Sequence, residues 1–498
     1  TGTAANASLE VGGVGGTGFM TMTGASTVNV GATGSATVGS TAGSNGTLTV
    51  GGGSSVTANV IGIGGNSDSA AGGDGTAVVT GAGSTLNANG ANAFLSVGRG
   101  GSGSLSVSDG GALNATIVSV GRADGGFGTL TVDAAAINLS GQQTAGSLSG
   151  AALTIGSLGG TGLATIRNGS VVTISNPGSA GVSFNVGGTP VSPGGSGVLN
   201  VSNSQVNLTA APGQATVRIG HDGNGIATFT GSTMNVGNPT ASGADGVLVV
   251  AGQPGSTGTL TLNNAGEVRT VVNAGYVGVG ATQSGPGGTG TLTLNNSTLN
   301  TTTFELGARG LLSGDGGVIN ASGDVIIGGT ISPGNSPGRV TIDCNLITLP
   351  GSMLILDILG SGADFAVDHL RIGNDSTFDL HALHIVFNFL GSTDPNAFAA
   401  SGGFNLDNFL QSLDLATGAV TGLSSVFASD QTWADIVNPA GITAVSSAYD
   451  ISDLRLQPDG TVNVVAAPVP EPSTWAMLAL GLMALSGMAR RRALARRR

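Results

Sequence analysis

The 498-residue chain holds 91 glycines, only 8% charged residues and fifteen basic residues that are all arginine. Sparse charge excludes a coiled coil, whose e and g positions need it. Glycine without a three-residue period excludes collagen, and a patterned 40% of apolar residues excludes generic disorder. Residues 1–340 hold 78 of the glycines and a net charge of −5, so a boundary falls where glycine thins, at ISPGNSPG (Ile331–Gly338). We therefore take residues 1–335 as a glycine-rich repeat region. Its unit is an apolar stretch ending in Val-Gly or Ile-Gly, a glycine-rich turn, a G-T-L-T-V stretch, a second turn and S-x-V-N-V. Two adjacent copies are FLSVGRGGSGSLSVSDGGALNA (Phe94–Ala115) and IVSVGRADGGFGTLTVDAAAINL (Ile117–Leu139).

Period-two alternation bounded by glycine is the grammar of strands. Three short strands cannot bury their inward face alone, so the units must stack. The expectation is an all-β fold: a parallel, right-handed, three-sided β-helix with inward Val, Leu and Ile and outward Thr, Ser and Asn. Glycine would serve the corners, at Gly12, Gly39, Gly64, Gly98, Gly121, Gly156, Gly187, Gly220, Gly280 and Gly307. About eleven coils at the strand spacing would give a rod on the order of 50 Å long.

Residues 336–467 read as a β-rich cap, with longer apolar stretches such as VTIDCNLITL, SMLILDIL and FDLHALHIVFNFL. Residues 341–470 carry a net charge of −12. A cap is required because an open final coil is an aggregation edge. Cys344, the single cysteine, sits in an alternating stretch and is expected as a packed strand residue. Asn405–Leu413 has helical spacing behind a cap residue, and Leu454–Val465 reads as a hairpin around Pro458-Asp459-Gly460.

Residues 468–498 form a separate tail. Val469, Pro470, Glu471, Pro472, Ser473 and Thr474 precede an uncharged 15-residue stretch, Trp475–Ala489. As a helix this spans about 22 Å, short of a hydrocarbon core of about 30 Å. Arg490, Arg491, Arg492, Arg496, Arg497 and Arg498 follow and would stay on the cytoplasmic side, placing the body on the far side of the membrane. This tripartite tail resembles the PEP-CTERM sorting signal. The resemblance implies a bacterial protein exported from the cell and recognised by an exosortase, a membrane protease of transpeptidase type. It implies transient anchoring in the inner membrane, cleavage near the motif, and delivery to the cell surface or extracellular matrix.

The repeats, over roughly residues 9–310, also resemble those of autotransporter passengers and PEP-CTERM-associated proteins. No transmembrane barrel of aromatic strands follows them, so self-translocation is not expected. The chain opens at Thr1 without a signal peptide, so processing or truncation is expected.

Chemistry is sparse. His381 and His384, with Asp368 and Asp379 nearby, lie on opposite faces of a predicted strand, and no metal site is expected. Asp-Gly turns at Asp74, Asp109, Asp124, Asp222 and Asp245 are too isolated for tandem calcium sites. No cofactor is therefore expected, calcium being the one ion these turns leave open. Twelve acids spread over residues 1–340, without lysine, offer no catalytic carboxylate pair. Phosphate-loop glycine runs lack the following Gly-Lys-Ser/Thr, and the acidic body disfavours nucleic acid. The expectation is a non-enzymatic surface or matrix protein, structural or adhesive in biofilm or exopolysaccharide. The alternative is a β-helix polysaccharide lyase or hydrolase delivered by the same route.

Overall fold

The computed structural model describes residues 7–90, 93–141, 150–176, 178, 180–211, 215–240, 243–334, 337–361, 364–372, 383–402 and 442–450. It also describes short paired pieces at 455–456, 462–463 and 467–468. Of the described residues, 62% are in strands and 2% in helix.

One coil shows how the repeat folds. Phe94–Arg99, Ser102–Ser108 and Ala112–Ala115 are three short strands joined by turns, after which Ile117–Arg122 comes to lie parallel beside Phe94–Arg99. Phe94 then faces Ile117 and Val97 faces Val120. Repetition of this step builds three parallel ladders. The second ladder forms a 16-stranded sheet of its own. The first and third meet in a 24-stranded sheet through Gly317–Ile327, whose two halves pair with Thr298–Thr301 and Thr303–Leu306 respectively. Within both sheets every described pair is parallel except Ser352–Ser361 with Asp364–Val367. That is the β-helix-like solenoid the repeat grammar predicts.

Alternation sets which side chains enter the core. Ser102–Ser108 buries Leu105 and Val107 and leaves its serines to solvent, and Phe127–Asp133 does the same with Leu130 and Val132. Each fully buried side chain of this kind contributes about 1.5–3 kcal/mol. The core runs unbroken from Val11 to Phe398.

The corners explain the glycine. Gly121 sits at φ 68°, and a Cβ there would land on the Thr161 carbonyl of the next coil. A second glycine column, Gly103, Gly128, Gly162 and Gly197 in register, lies against the first, so neither column tolerates a side chain. One corner was not foreseen. Between Gly220 and Gly280 the structure places a coil at Val247–Val250 whose corner is Ala251, at φ 59°. Counting glycine corners passes over it, and the second ladder therefore has twelve strands up to Thr330–Pro333 rather than about eleven.

The second ladder continues beyond that point through Ser352–Ser361 and Leu383–Phe389 to Ile442–Ser446. Cys344 is buried in Arg339–Thr348, where burial first and then Asp343 and Asp324 push its thiol up to about 12. A six-residue helix at Pro395–Ala400 was also not foreseen. Asp394 caps it by accepting from the Asn396 N–H, and Pro395 supplies the first turn. Its Phe398 packs edge-on against Phe365 and Phe389, 5.2 and 5.5 Å between ring centroids. The helix expected at Asn405–Leu413 lies outside the described residues. Arg455–Leu456 pairs antiparallel with Val462–Asn463, as a hairpin around Pro458–Gly460 requires.

Candidate functional site

The three outer faces differ, and the difference decides what each can do. On the first ladder the outward row is itself buried, including Ser96, Ser119, Thr154 and Asn185. The loop after the Gly64 corner passes back over the row. A Cβ on Gly62 would lie 2.6 Å from the Gly65 carbonyl oxygen, so glycine there makes room for that loop.

That loop is pinned by charge. Asp68 accepts from Nε and Nη2 of Arg99 at 2.7 and 3.0 Å, and from the same atoms of Arg122 at 2.9 and 3.1 Å. Both guanidiniums lie over the Phe94 ring, 5.3 and 5.7 Å from its centroid. Burial opposes the Asp68 charge, but the two arginines outweigh it and hold the carboxyl at about 2. The pairs are bidentate, which makes them strong for their exposure.

The third ladder carries asparagines at one register position, and their amides hydrogen-bond along the axis. Asn114 donates to Asn87 at 2.7 Å and Asn138 to Asn114 at 3.0 Å. Further along, Asn235 donates to Asn207, Asn273 to Asn235, Asn300 to Asn273 and Asn320 to Asn300, at 2.7–2.9 Å. Thr173 interrupts the row between Asn138 and Asn207.

The carboxylates are dispersed along the coils, apart from Asp368, which lies near Asp357 and Asp315. Asp133 pairs with Arg167 at 2.8 Å, and Asp109 accepts from Thr80 and Ser108. Asp245 accepts from the Asn238 N–H, and Asp222 lies 3.7 Å from His221. Buried Asp368 accepts from the Gly338 and Asp357 N–H groups, at 2.7 and 2.9 Å, and burial pushes it up to about 6. His384 meets Thr443 at 3.0 Å, while His381 and Asp379 lie outside the described residues. Among the described residues no three His, Cys, Asp or Glu side chains come together as a metal group.

His221 was not singled out by sequence beyond its Asp-Gly turn. It is buried beside Arg218, and burial first and that arginine second lower its pKa. Its Nδ1 has no hydrogen-bond partner and faces Gly252, a position where any side chain would meet the ring. The site is closed by packing.

The body ends where the tail begins. Ala467–Pro468 pairs antiparallel with Tyr449–Asp450, and Val469–Thr474 and the six terminal arginines follow, outside the described residues. The PEP-CTERM protein-sorting motif family matches residues 468–492. The chain carries a PEP-CTERM sorting motif. The motif marks an exported protein of the cell envelope or surface that an exosortase processes. The match covers both Pro470-Glu471-Pro472 and Arg490–Arg492, so the motif and the first arginine run belong to one signal. No curated protein matched the sequence. Among the described residues no helix is long and apolar enough to cross a membrane, and Trp475–Ala489 lies beyond them.

Proposed function

We propose that this PEP-CTERM protein is a non-enzymatic structural or adhesive component of the extracellular matrix, a right-handed β-helical rod held among exopolysaccharide. Its coils are of the kind that autotransporter passengers stack. The observation that carries the reading is the contrast between tail and body. The tail is a complete address, while Asp68, Asp109 and Asp133 of the body lie on separate coils, tied to arginines or hydroxyls, and the buried Asp368, beside Asp357 and Asp315, is tied to backbone N–H groups. A glycosidase needs two carboxyl groups about 5–10 Å apart across a bound sugar.

In this reading Trp475–Ala489 is a transient inner-membrane helix, with Arg490–Arg492 and Arg496–Arg498 holding the cytoplasmic side. Val469–Thr474 presents the processing bond to the exosortase. Release of the tail removes six arginines and leaves a body with a net charge of −17 before Glu471. Such a charge keeps rods soluble and apart from anionic surfaces.

The test replaces Pro470-Glu471-Pro472 with three alanines in the full chain expressed in its own host. The expected result is an unprocessed protein, heavier by the tail and retained in the membrane fraction, with the body's circular dichroism unchanged. Unchanged mass and surface location would overturn the sorting role. For the body, turnover of a polysaccharide that one carboxylate substitution abolishes would overturn the non-enzymatic reading.

A further inference from the structure

The second ladder, unlike the first, keeps its outward rows at the surface, with Ser104, Leu163 and Ile226 exposed and their neighbours half-buried. Its strands pair residue for residue with no register shift from Thr17–Met22 to Thr289–Asn295, so the outward side chains form straight rows. Two central rows run from Phe19 and Thr21 to Thr330 and Ser332, and neither contains a charged residue. Charge appears only at the margins, at Asp74 on one side and at the Asp133–Arg167 pair on the other.

Halfway along, one row turns fully apolar. Leu163 faces Val198 and Val198 faces Ile226 on three successive coils. Leu163 and Ile226 are 36% and 49% exposed, although each could have been a threonine like its neighbours along the row. Hydroxyl and methyl groups of threonine and serine flank the triad in both directions along the rod. An apolar centre, an uncharged surround and a charged rim is the anatomy of a protein–protein interface.

We propose that this face docks a second copy of the chain, the two rods antiparallel about a two-fold axis at Val198. Three observations select that occupant. The first is area. Twelve strands and seven residues of width give a face of roughly 1,200 Å², by strand spacing and rise. A stable dimer needs about 800 Å² per partner.

The second is charge. A body of net charge −17 repels its own copy through any surface that carries its acids, and these two rows carry none. The third is position. Val198 stands on the seventh of the twelve strands, so an antiparallel partner overlaps nearly the whole face and every contact is made twice. Packing of one flat sheet on another then follows the geometry of a β-sandwich. The inference goes beyond the matrix reading and needs only the fold, so it stands or falls apart from the sorting role.

The test is sedimentation equilibrium of the full chain in a mild detergent that covers the tail segment. Wild type is expected to dimerise in the micromolar range. Val198→Lys sets two ammonium groups across the axis and is expected to weaken dimerisation at least about a hundredfold. Val268→Lys, at an exposed apolar residue off this face, is expected to leave it unchanged. Matching circular dichroism and melting temperature establish that the variants fold. A wild type monomeric at ~100 μM overturns the proposal, as does a dimer that Val198→Lys leaves intact. Capture of a neutral polysaccharide by a monomeric chain, lost in Val198→Lys, gives the face to a glycan and overturns it as well.

Discussion

Ala251 holds a φ of 59° where the equivalent corners, Gly220 and Gly280, hold 69° and 63°. The left-handed conformation costs a non-glycine residue about 1–2 kcal/mol, so this corner is strained and its coil persists because Leu248 and Val250 are fully buried. Ala251→Gly is expected to stabilise the body by about 0.5–1 kcal/mol, the relief of strain exceeding the greater unfolded-state freedom of glycine. A higher denaturant midpoint at constant slope would register it.

Asp68 gives the pH counterpart. Its carboxyl lies near 2 rather than 3.8, a lowered value, so the clasp contributes stability above pH 4 and loses it only as pH falls through about 2. Asp68→Asn is expected to cost about 1 kcal/mol at pH 7, less than the bare shift implies because a third of the side chain is in water. The difference from wild type should vanish below pH 2.

At the scale of the element, each ladder is held in register by what its outward row does. The asparagine row does this by hydrogen bonds, each net about 0.5–1.5 kcal/mol, and Thr173 leaves a gap in it. Thr173→Asn is expected to join Asn138 to Asn207 and raise stability by about 1–2 kcal/mol, read from the thermal midpoint. No change would mean that solvent already satisfies the neighbouring amides.

The strand positions are legible in the sequence because V-G, G-T-L-T-V and S-x-V-N-V each encode a local rule: a corner, an alternating strand and a laddering amide. Ala251 was not legible because glycine stood in for positive φ, and a strained alanine carries no compositional mark. The helix at Pro395–Ala400 was missed although Asp394-Pro395 is a start signal, because six residues are too few to show a 3.6 period. The sorting tail was legible from Pro470-Glu471-Pro472, the uncharged stretch after it and the arginine run together, since an address is read by sequence. The apolar triad on the open face was not, because Leu163, Val198 and Ile226 lie 28 to 35 residues apart and meet only through register.

The described body is a stack in which a coil pairs chiefly with its neighbours, so its stability is a sum of coils and the interfaces between them. Such a rod unfolds as one unit only while every interface outweighs the gain in entropy from opening there. Gly162 offers a place to break one interface. A side chain there would meet the Val120 carbonyl and, at 2.6 and 2.9 Å, the Gly156 nitrogen and the Ile155 Cγ2 of the crowded corner. Gly162→Val therefore forces the coils on its two sides apart, while the five second-ladder strands before it and the coils after it keep their own inward rows. The expected outcome is two thermal transitions in place of one, with protease cleavage concentrated near residue 162 and an N-terminal fragment that stays folded. A single transition, lowered but still cooperative, would mean that coupling reaches past the nearest coil, and the rod would then have to be treated as one core.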